Sequence, residues 1–304
     1  DVYGHGNHVA GIIAGNGDQS DGDYIGVAPR ANIINVKVNG DQGGASASSV
    51  VAGLQWILNN KSRYNIRVVN ISMNSEVAES YHTSPINAAV EILWFNKIVV
   101  VVSAGNHGST RLYPPANDPF VITVGATNDR GTASIYDDHV ASFSAFGTTV
   151  DGFSKPELVA PGRNILAPLP RSNSVLATEH PDNVLRRRDG SYFTMSGTSM
   201  AAPMVSGAVA ILLQDDPWLT PDLVKYRLMA TANRSWSGYN ANRAGAGYLD
   251  VEAAVWSRTS SSANTGIRAS RLLWTGSQPV SWNSVNWNSV NWNSVNWNSV
   301  NWNS

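Results

Sequence analysis

KIVVVVSAG, residues 97–105, decides the fold. Ile98 and the four valines that follow leave no polar face, so a strand built from them must be covered on both sides. Such strands belong to parallel sheets packed between helices. Three more runs share this character: NIINVKV (32–38), RVVNISM (67–73) and FVITVGAT (120–127). Helical patterns lie between them. SASSVVAGLQWILNN (46–60) sets Val50, Leu54, Ile57 and Leu58 on one stripe. SPINAAVEILWFNK (84–97) offers Ser84 as N-cap, Pro85 at the first helical position, and Ile86, Val90 and Leu93 facing inward. TPDLVKYRLMATA (220–232) repeats the scheme with Thr220, Pro221 and an acidic Asp222 that suits the helix dipole. The alternation predicts an α/β fold, a doubly wound parallel sheet sandwiched by helices, over residues 1–256.

The totals narrow the function. A chain of 304 residues can bury a full core and carry an extension. A net charge of −1 and a pI near 6.7 provide no basic field for nucleic acid or an anionic membrane. Charged residues are only 14% of the chain, which suits a polar, uncharged extracellular surface, so secretion is the expected localisation. Without cysteine there are neither disulfides nor thiolate metal sites. No apolar run is long enough to span a bilayer.

Beyond residue 256 the character changes. SRTSSSANTGIRAS opens a polar linker, assigned to 257–281, and residues 282–304 repeat a Trp-Asn-Ser-Val-Asn unit. Trp282, Trp287, Trp292, Trp297 and Trp302 recur every fifth residue, so in an extended strand they alternate between faces. Three readings of this tail stay open: a disordered extension, self-association or docking as an added strand, and carbohydrate binding.

Three stretches could carry chemistry. In GHGNHVAGIIAG, His5 stands between glycines ahead of a helix bearing Val9, Ile12 and Ile13; it is either a base that a substrate can approach or a structural histidine. In SYFTMSGTSMAAPMVSGAVAILLQD (191–215), Ser199 opens a helix apolar on every side, which must be buried. Free N–H groups there favour developing negative charge. The plainer reading makes Ser199 a helix cap, with Pro203 near the first turn. In VVSAGNHGS (101–109), Asn106 follows the carboxyl end of a buried strand, where open α/β sheets bind ligands, or it merely closes a turn.

Together, GHGNHVAG, SAGN and SGTSMAAP, in that order on a parallel α/β pattern, resemble the subtilisin-like serine proteases. YPPANDPFVITVGATN (113–128), VASFSAFG (140–147), PELVAPG (156–162) and GAGYLDVEAAV (245–255) fall in the family's order. The resemblance covers roughly residues 1–256 and implies a peptidase acting on protein substrates. It implies that His5 is the general base, Ser199 the nucleophile and Asn106 a donor to the tetrahedral oxyanion beside the N–H of Ser199. It also implies that Ser72, Met73 and Asn74 form one wall of the substrate cleft and Ser103, Ala104 and Gly105 the other, a peptide adding between them as a strand.

The chain departs from the family pattern in three places. Asn7 replaces the usual Thr. Asn74 and Ser75 replace two glycines that leave space for the substrate, so the pocket for the residue before the scissile bond should be narrowed or reshaped. The triad Asp, which precedes the His motif in the family, has no position here; Asp1 matches an acidic position within the His motif instead. Its loss would cost about 10⁴ in kcat, roughly 5–6 kcal/mol of barrier. It would also remove a central strand and leave buried N–H and C=O groups unpaired, about 1–3 kcal/mol each. The expectation is therefore that the missing segment exists as another polypeptide: a nicked N-terminal fragment, a separate subunit or unassigned sequence. The alternative is a catalytically impaired, protease-fold structural protein that assembles into filaments or oligomers through its tail.

Lesser features complete the reading. NGDQSDGDYIG (16–26) clusters Asp18, Asp21 and Asp23, either a calcium loop or an acidic surface turn. RRRDG (186–190) reads as a hairpin tip, and His8 as a packed helix residue.

Overall fold

The structure, a computed structural model, describes residues 1–169, 173–187 and 190–273. The repeat of 282–304 and the end of the linker lie outside the described residues, so the tail readings are not addressed by it. The strands in chain order are β1 (Val68–Ile71), β2 (Val99–Ser103), β3 (Ile122–Asn128), β4 (His139–Val140), β5 (Gly147–Thr148), β6 (Ser154–Lys155), β7 (Leu158–Pro161), β8 (Ile165–Pro168), β9 (Val184–Arg186) and β10 (Ser191–Met195). The helices are α1 (His5–Ala14), α2 (Ala47–Tyr64), α3 (Pro85–Phe95), α4 (Val175–Glu179), α5 (Thr198–Asp215), α6 (Pro221–Thr231), α7 (Ala241–Ala244) and α8 (Val251–Trp256).

β1, β2, β3 and β7 run parallel in that spatial order, with Val68 opposite Val99, Val101 opposite Ile122, and Val124 opposite Leu158. Every residue of β2 is buried, and since successive side chains point to opposite faces, both faces are covered. α5 crosses all four parallel strands, while α3 packs on β2 and α2 packs on α3. β4 joins β3 antiparallel, so the sheet is mixed at its end rather than parallel throughout. A second sheet, antiparallel in the order β8-β10-β9, packs with α1. β9 and β10 form the two arms flanking the RRRDG stretch, as a hairpin tip there requires.

The helix ends follow the expected chemistry. Ser46, Ser84 and Thr220 cap α2, α3 and α6 by accepting the N–H of Ser49, Asn87 and Leu223. No helix among the described residues is long and apolar enough to cross a membrane.

One expected strand is corrected. NIINVKV (32–38) pairs with no strand among the described residues, and Ile33 and Ile34 are 46% and 39% exposed. Among the described residues β1 pairs only with β2, so no described strand takes the donors and acceptors of its outer edge. An open groove of about 520 Å³ runs along residues 35–38 and α2, lined by Val36, Val38, Ala52, Gly53 and Trp56 among others. A β-patterned run remains outside a sheet when no neighbouring strand takes its backbone groups.

Where the sequence reads as a linker, residues 263–273 lie against the domain. Ala263 N–H donates to Asp222 O at 3.2 Å, Tyr81 Oη to Arg268 O at 2.9 Å, and Ser270 N–H to Glu91 Oε2 at 2.7 Å. Leu273 is buried with Ala88 and Ile92 of α3. α3 is buried from Pro85 through Trp94, well beyond its predicted stripe, because this segment covers its outer side.

The contact rests on a buried acid pair. Glu91 and Asp118 are both fully buried and adjacent, with Asn87 Nδ2 donating to Asp118 Oδ2 at 3.1 Å and Phe120 N–H to Asp118 Oδ1 at 2.9 Å. Burial, with Asp118 beside it, holds the Glu91 carboxyl well above its usual range. Burial pushes Asp118 up to about 6, against the opposing pull of Lys155 and Lys225. Groups whose folded-state values are raised add stability that is complete below the ordinary carboxylate range and lost as pH rises through the folded values. We expect the wild type to lose stability relative to Glu91→Gln as pH rises from about 4 through 6 and beyond, by about 1.4 kcal/mol per pH unit. Thermal melts of both proteins across that range test this; parallel curves would refute it.

Candidate active site

The site is built around the start of α5. Residues Ala201, Ala202, Val205, Ala208, Val209 and Leu212 bury the helix in the main core, as its all-apolar composition requires. The cap position belongs to Gly197 and no side chain caps the helix, so Ser199, its second residue, is not a cap. The Ser199 hydroxyl instead donates to the carbonyl of Ser72 at 3.3 Å.

Pro203 lies inside the helix, just beyond its first turn. A proline has no N–H, so the Ser199 carbonyl four residues earlier loses its helical donor. Ser72 replaces it, its hydroxyl donating to Ser199 O at 3.0 Å. Asn70 steadies Ser72 through an Nδ2–Oγ bond of 2.9 Å, and Ser206 Oγ donates to Asn70 Oδ1 at 2.9 Å. The end of β1 and the first turn of α5 are thereby joined side chain to backbone in both directions.

Asn106 meets the same turn from β2. Its Oδ1 accepts from both the N–H and the hydroxyl of Thr198, each at 2.8 Å. Thr198 Oγ1 in turn accepts the N–H of Gly105 at 3.0 Å. With the oxygen so committed, the NH₂ of Asn106 faces the approach to α5, and a Cβ on Gly197 would lie 3.1 Å from it. Gly105 has φ +108°, a backbone that a larger residue would strain. The Asn106 carboxamide is thereby fixed against the first turn of α5, beside Ser199.

His5 is the first residue of α1, which packs along α5. Val9, one turn beyond His5, and Met200, next to Ser199, share one apolar cluster. Burial lowers the His5 imidazole to about 4, so it is neutral at ordinary pH. Asp1 is spent locally: its carboxylate accepts the N–H of Asn7 at 2.9 Å and of Tyr3 at 3.2 Å. His8 is a packed helix residue, its Nε2–H donating to Phe193 O at 2.8 Å and Ile165 O at 3.1 Å.

Of the predicted cleft residues, Asn74 and Ser103 touch, with Asn74 Nδ2 donating to Ser103 O at 2.8 Å. Met73 is half-buried against the main core. Ala104 is fully buried with Leu112 and Ala145, so its side chain supports the wall from behind. Sequence reasoning missed Thr198, Asn70 and the positioning bond from Ser72. The signal for the last was Pro203, since a proline within a buried helix leaves one carbonyl seeking a donor.

In the acidic loop Asp18 accepts from Asn16 Nδ2 at 2.5 Å and Asp23 lies 3.9 Å from the Arg187 guanidinium, and among the described residues no three acidic or histidine side chains gather as a metal-holding group.

Removing the Ser72 hydroxyl should leave the Ser199 carbonyl buried without a donor, and Ser72→Ala should cost about 1–3 kcal/mol in denaturant unfolding. Pro203→Ala restores a main-chain N–H, so Ser72→Ala/Pro203→Ala should be more stable than Ser72→Ala alone. A double variant no better than the single one would show that the carbonyl is satisfied elsewhere.

Known proteins share this arrangement of sequence. A family model described as the subtilase family matches residues 1–248. Serine protease AprX of Bacillus subtilis is 40% identical over 266 residues, covering 84% of this chain and 58% of that protein. Subtilisin Savinase of Lederbergia lenta is 32% identical over 255 residues, covering 84% of this chain and 78% of Savinase. Among solved structures, the prenylagaramide maturation protease PagA superposes with a TM-score of 0.60 at 27% identity, over 83% of this chain and 80% of its own. The protease domain of PatA, solved as a point mutant, gives 0.61 at 28% identity, over 83% and 78%. The chain spans little more than half the length of AprX.

Proposed function

The chain belongs to the subtilase family of serine proteases, and from that premise we propose that it carries the nucleophile, base and oxyanion donor of a secreted serine endopeptidase. The observation that supports this most directly is the bonding of Asn106 to Thr198, which brings a carboxamide beside Ser199 at the start of a buried helix. In this reading His5 takes the proton of the Ser199 hydroxyl as Oγ attacks the scissile carbonyl carbon. The Asn106 Nδ2–H and the Ser199 N–H stabilise the tetrahedral oxyanion. His5 returns the proton to the departing amine, leaving an acyl-enzyme, and water then releases the acyl group by the same path.

The neutral, burial-depressed His5 is a poor base by itself. An imidazolium formed there meets both desolvation and the positive end of α1, so its formation calls for a carboxylate. We assign that carboxylate to a further polypeptide segment that adds a strand beside β1. The open outer edge of β1 supports the assignment, as do the exposed Ile33 and Ile34 in a β-patterned run that pairs with no strand among the described residues. The substrate is a protein segment in extended form, lying between Ser72–Asn74 and Ser103–Gly105.

A fluorophosphonate probe should label the protein at Ser199, and Ser199→Ala should abolish labelling. Asn106→Ala should lower kcat by about 10²–10³, a range established on a subtilisin and so not an independent prediction. Co-expression with a segment carrying the proposed carboxylate should accelerate labelling. It should also move the acid limb of the rate profile upward from near 4, because a carboxylate raises the imidazole that burial had lowered. Absence of labelling in both preparations would favour the assembly-scaffold alternative.

A further inference from the structure

The pairing of β1 with β2 ends at Ile71 opposite Val102. Beyond it the chains continue as residues 72–75 and 103–106, no longer joined by strand hydrogen bonds, and an opening forms at the carboxyl ends of the two strands. Ser199 stands at that opening, with its Oγ 3.3 Å from Ser72 O on one side and Asn106 tied to Thr198 on the other. In the endopeptidase reading proposed above, the residue that supplies the attacked carbonyl sets its side chain in the gap between 72–74 and 103–105.

That gap is bridged by one side chain. Asn74 Nδ2 donates to Ser103 O at 2.8 Å, and Ser103 Oγ makes a longer return contact of 3.5 Å to Asn74 Oδ1. Ser103 still pairs with Val124 of β3, but the β1–β2 register ends at Ile71 opposite Val102, so the Asn74 bond is no part of that pairing. Ser103 is almost fully buried and Gly105 beneath it has no side chain to yield. A bulky group entering here must break the bridge and leave the Ser103 carbonyl desolvated and without its donor.

We infer that Asn74 is a specificity-determining bar across the pocket beside Ser199, restricting the residue that supplies the attacked carbonyl to small side chains such as Ala and Gly. This rests on the endopeptidase reading. A buried acceptor stripped of its donor corresponds to about 10- to 100-fold in kcat/KM against a large residue.

The test uses the full chain together with the carboxylate-bearing segment proposed above, and two fluorogenic peptides that differ only in Ala or Phe before the cleaved bond. The wild type should favour Ala by about 10- to 100-fold in kcat/KM. Asn74→Gly should collapse that ratio to within a few-fold, with the gain carried by Phe. Asn74→Ser, which is too short to span the gap, serves as a second variant if the glycine disturbs the fold, and fluorophosphonate labelling of Ser199 verifies each site. A labelled wild type that cleaves Phe as readily as Ala overturns the inference, as does an unchanged ratio in a labelled variant. No labelling and no cleavage of either peptide sinks the protease reading itself, and this inference with it.

Discussion

Much of this molecule depends on the complete burial of β2. A strand with no exposed side chain must have helices on both faces and backbone partners on both edges. β1 and β3 provide the edges, while α5 crosses the sheet on one side. Because α5 is apolar all round, it can lie nowhere else. Its first turn then arrives at the carboxyl ends of β1 and β2, the place where a parallel α/β sheet leaves a crevice. Site and core are consequences of one packing requirement.

The precision of the site comes from a few polar bonds laid over that packing. Pro203 removes one main-chain donor and Ser72 restores it, which ties the end of β1 to the Ser199 carbonyl. Thr198 uses its donor on Asn106 and its acceptor on Gly105, which ties β2 to the same turn. Each bond is modest in net energy, yet each satisfies a group that would otherwise be buried and unpaired. Such networks hold side chains to the tolerance that acyl transfer demands.

Electrostatics divides the molecule into two regions. Around His5, burial and the helix dipole disfavour positive charge and keep the imidazole neutral. Beneath α3, burial disfavours negative charge, raising Glu91 well above its usual range and Asp118 to about 6, and Glu91 accepts the Ser270 N–H that ties residues 263–273 to the helix. The neighbouring buried triad is differently composed. Glu157 bonds Lys155 at 2.6 Å and Lys225 at 2.9 Å, and those two lysines draw its carboxyl below the usual range despite burial. Under the same desolvation the carboxyls thus shift in opposite directions according to which charges stand near.

The periodicity of the apolar runs by itself determined the α/β class, three of the four strands and the major helices, because burial on both faces is written into composition. Motif order by itself determined the family. Tertiary structure decided what periodicity cannot encode. NIINVKV has every mark of a strand, yet strand formation depends on a neighbour, which the run does not carry within itself. Whether Ser199 caps its helix was undecidable locally, since a hydroxyl near a helix start fits several roles; in the fold the cap position falls to Gly197 and the Ser199 hydroxyl turns to Ser72 O. The polar stretch after residue 256 reads as a tether until α3 is seen to need a cover for Ala88 and Ile92. Local chemistry fixes what each residue can do, and the partner brought from a distant part of the chain decides which of those things it does.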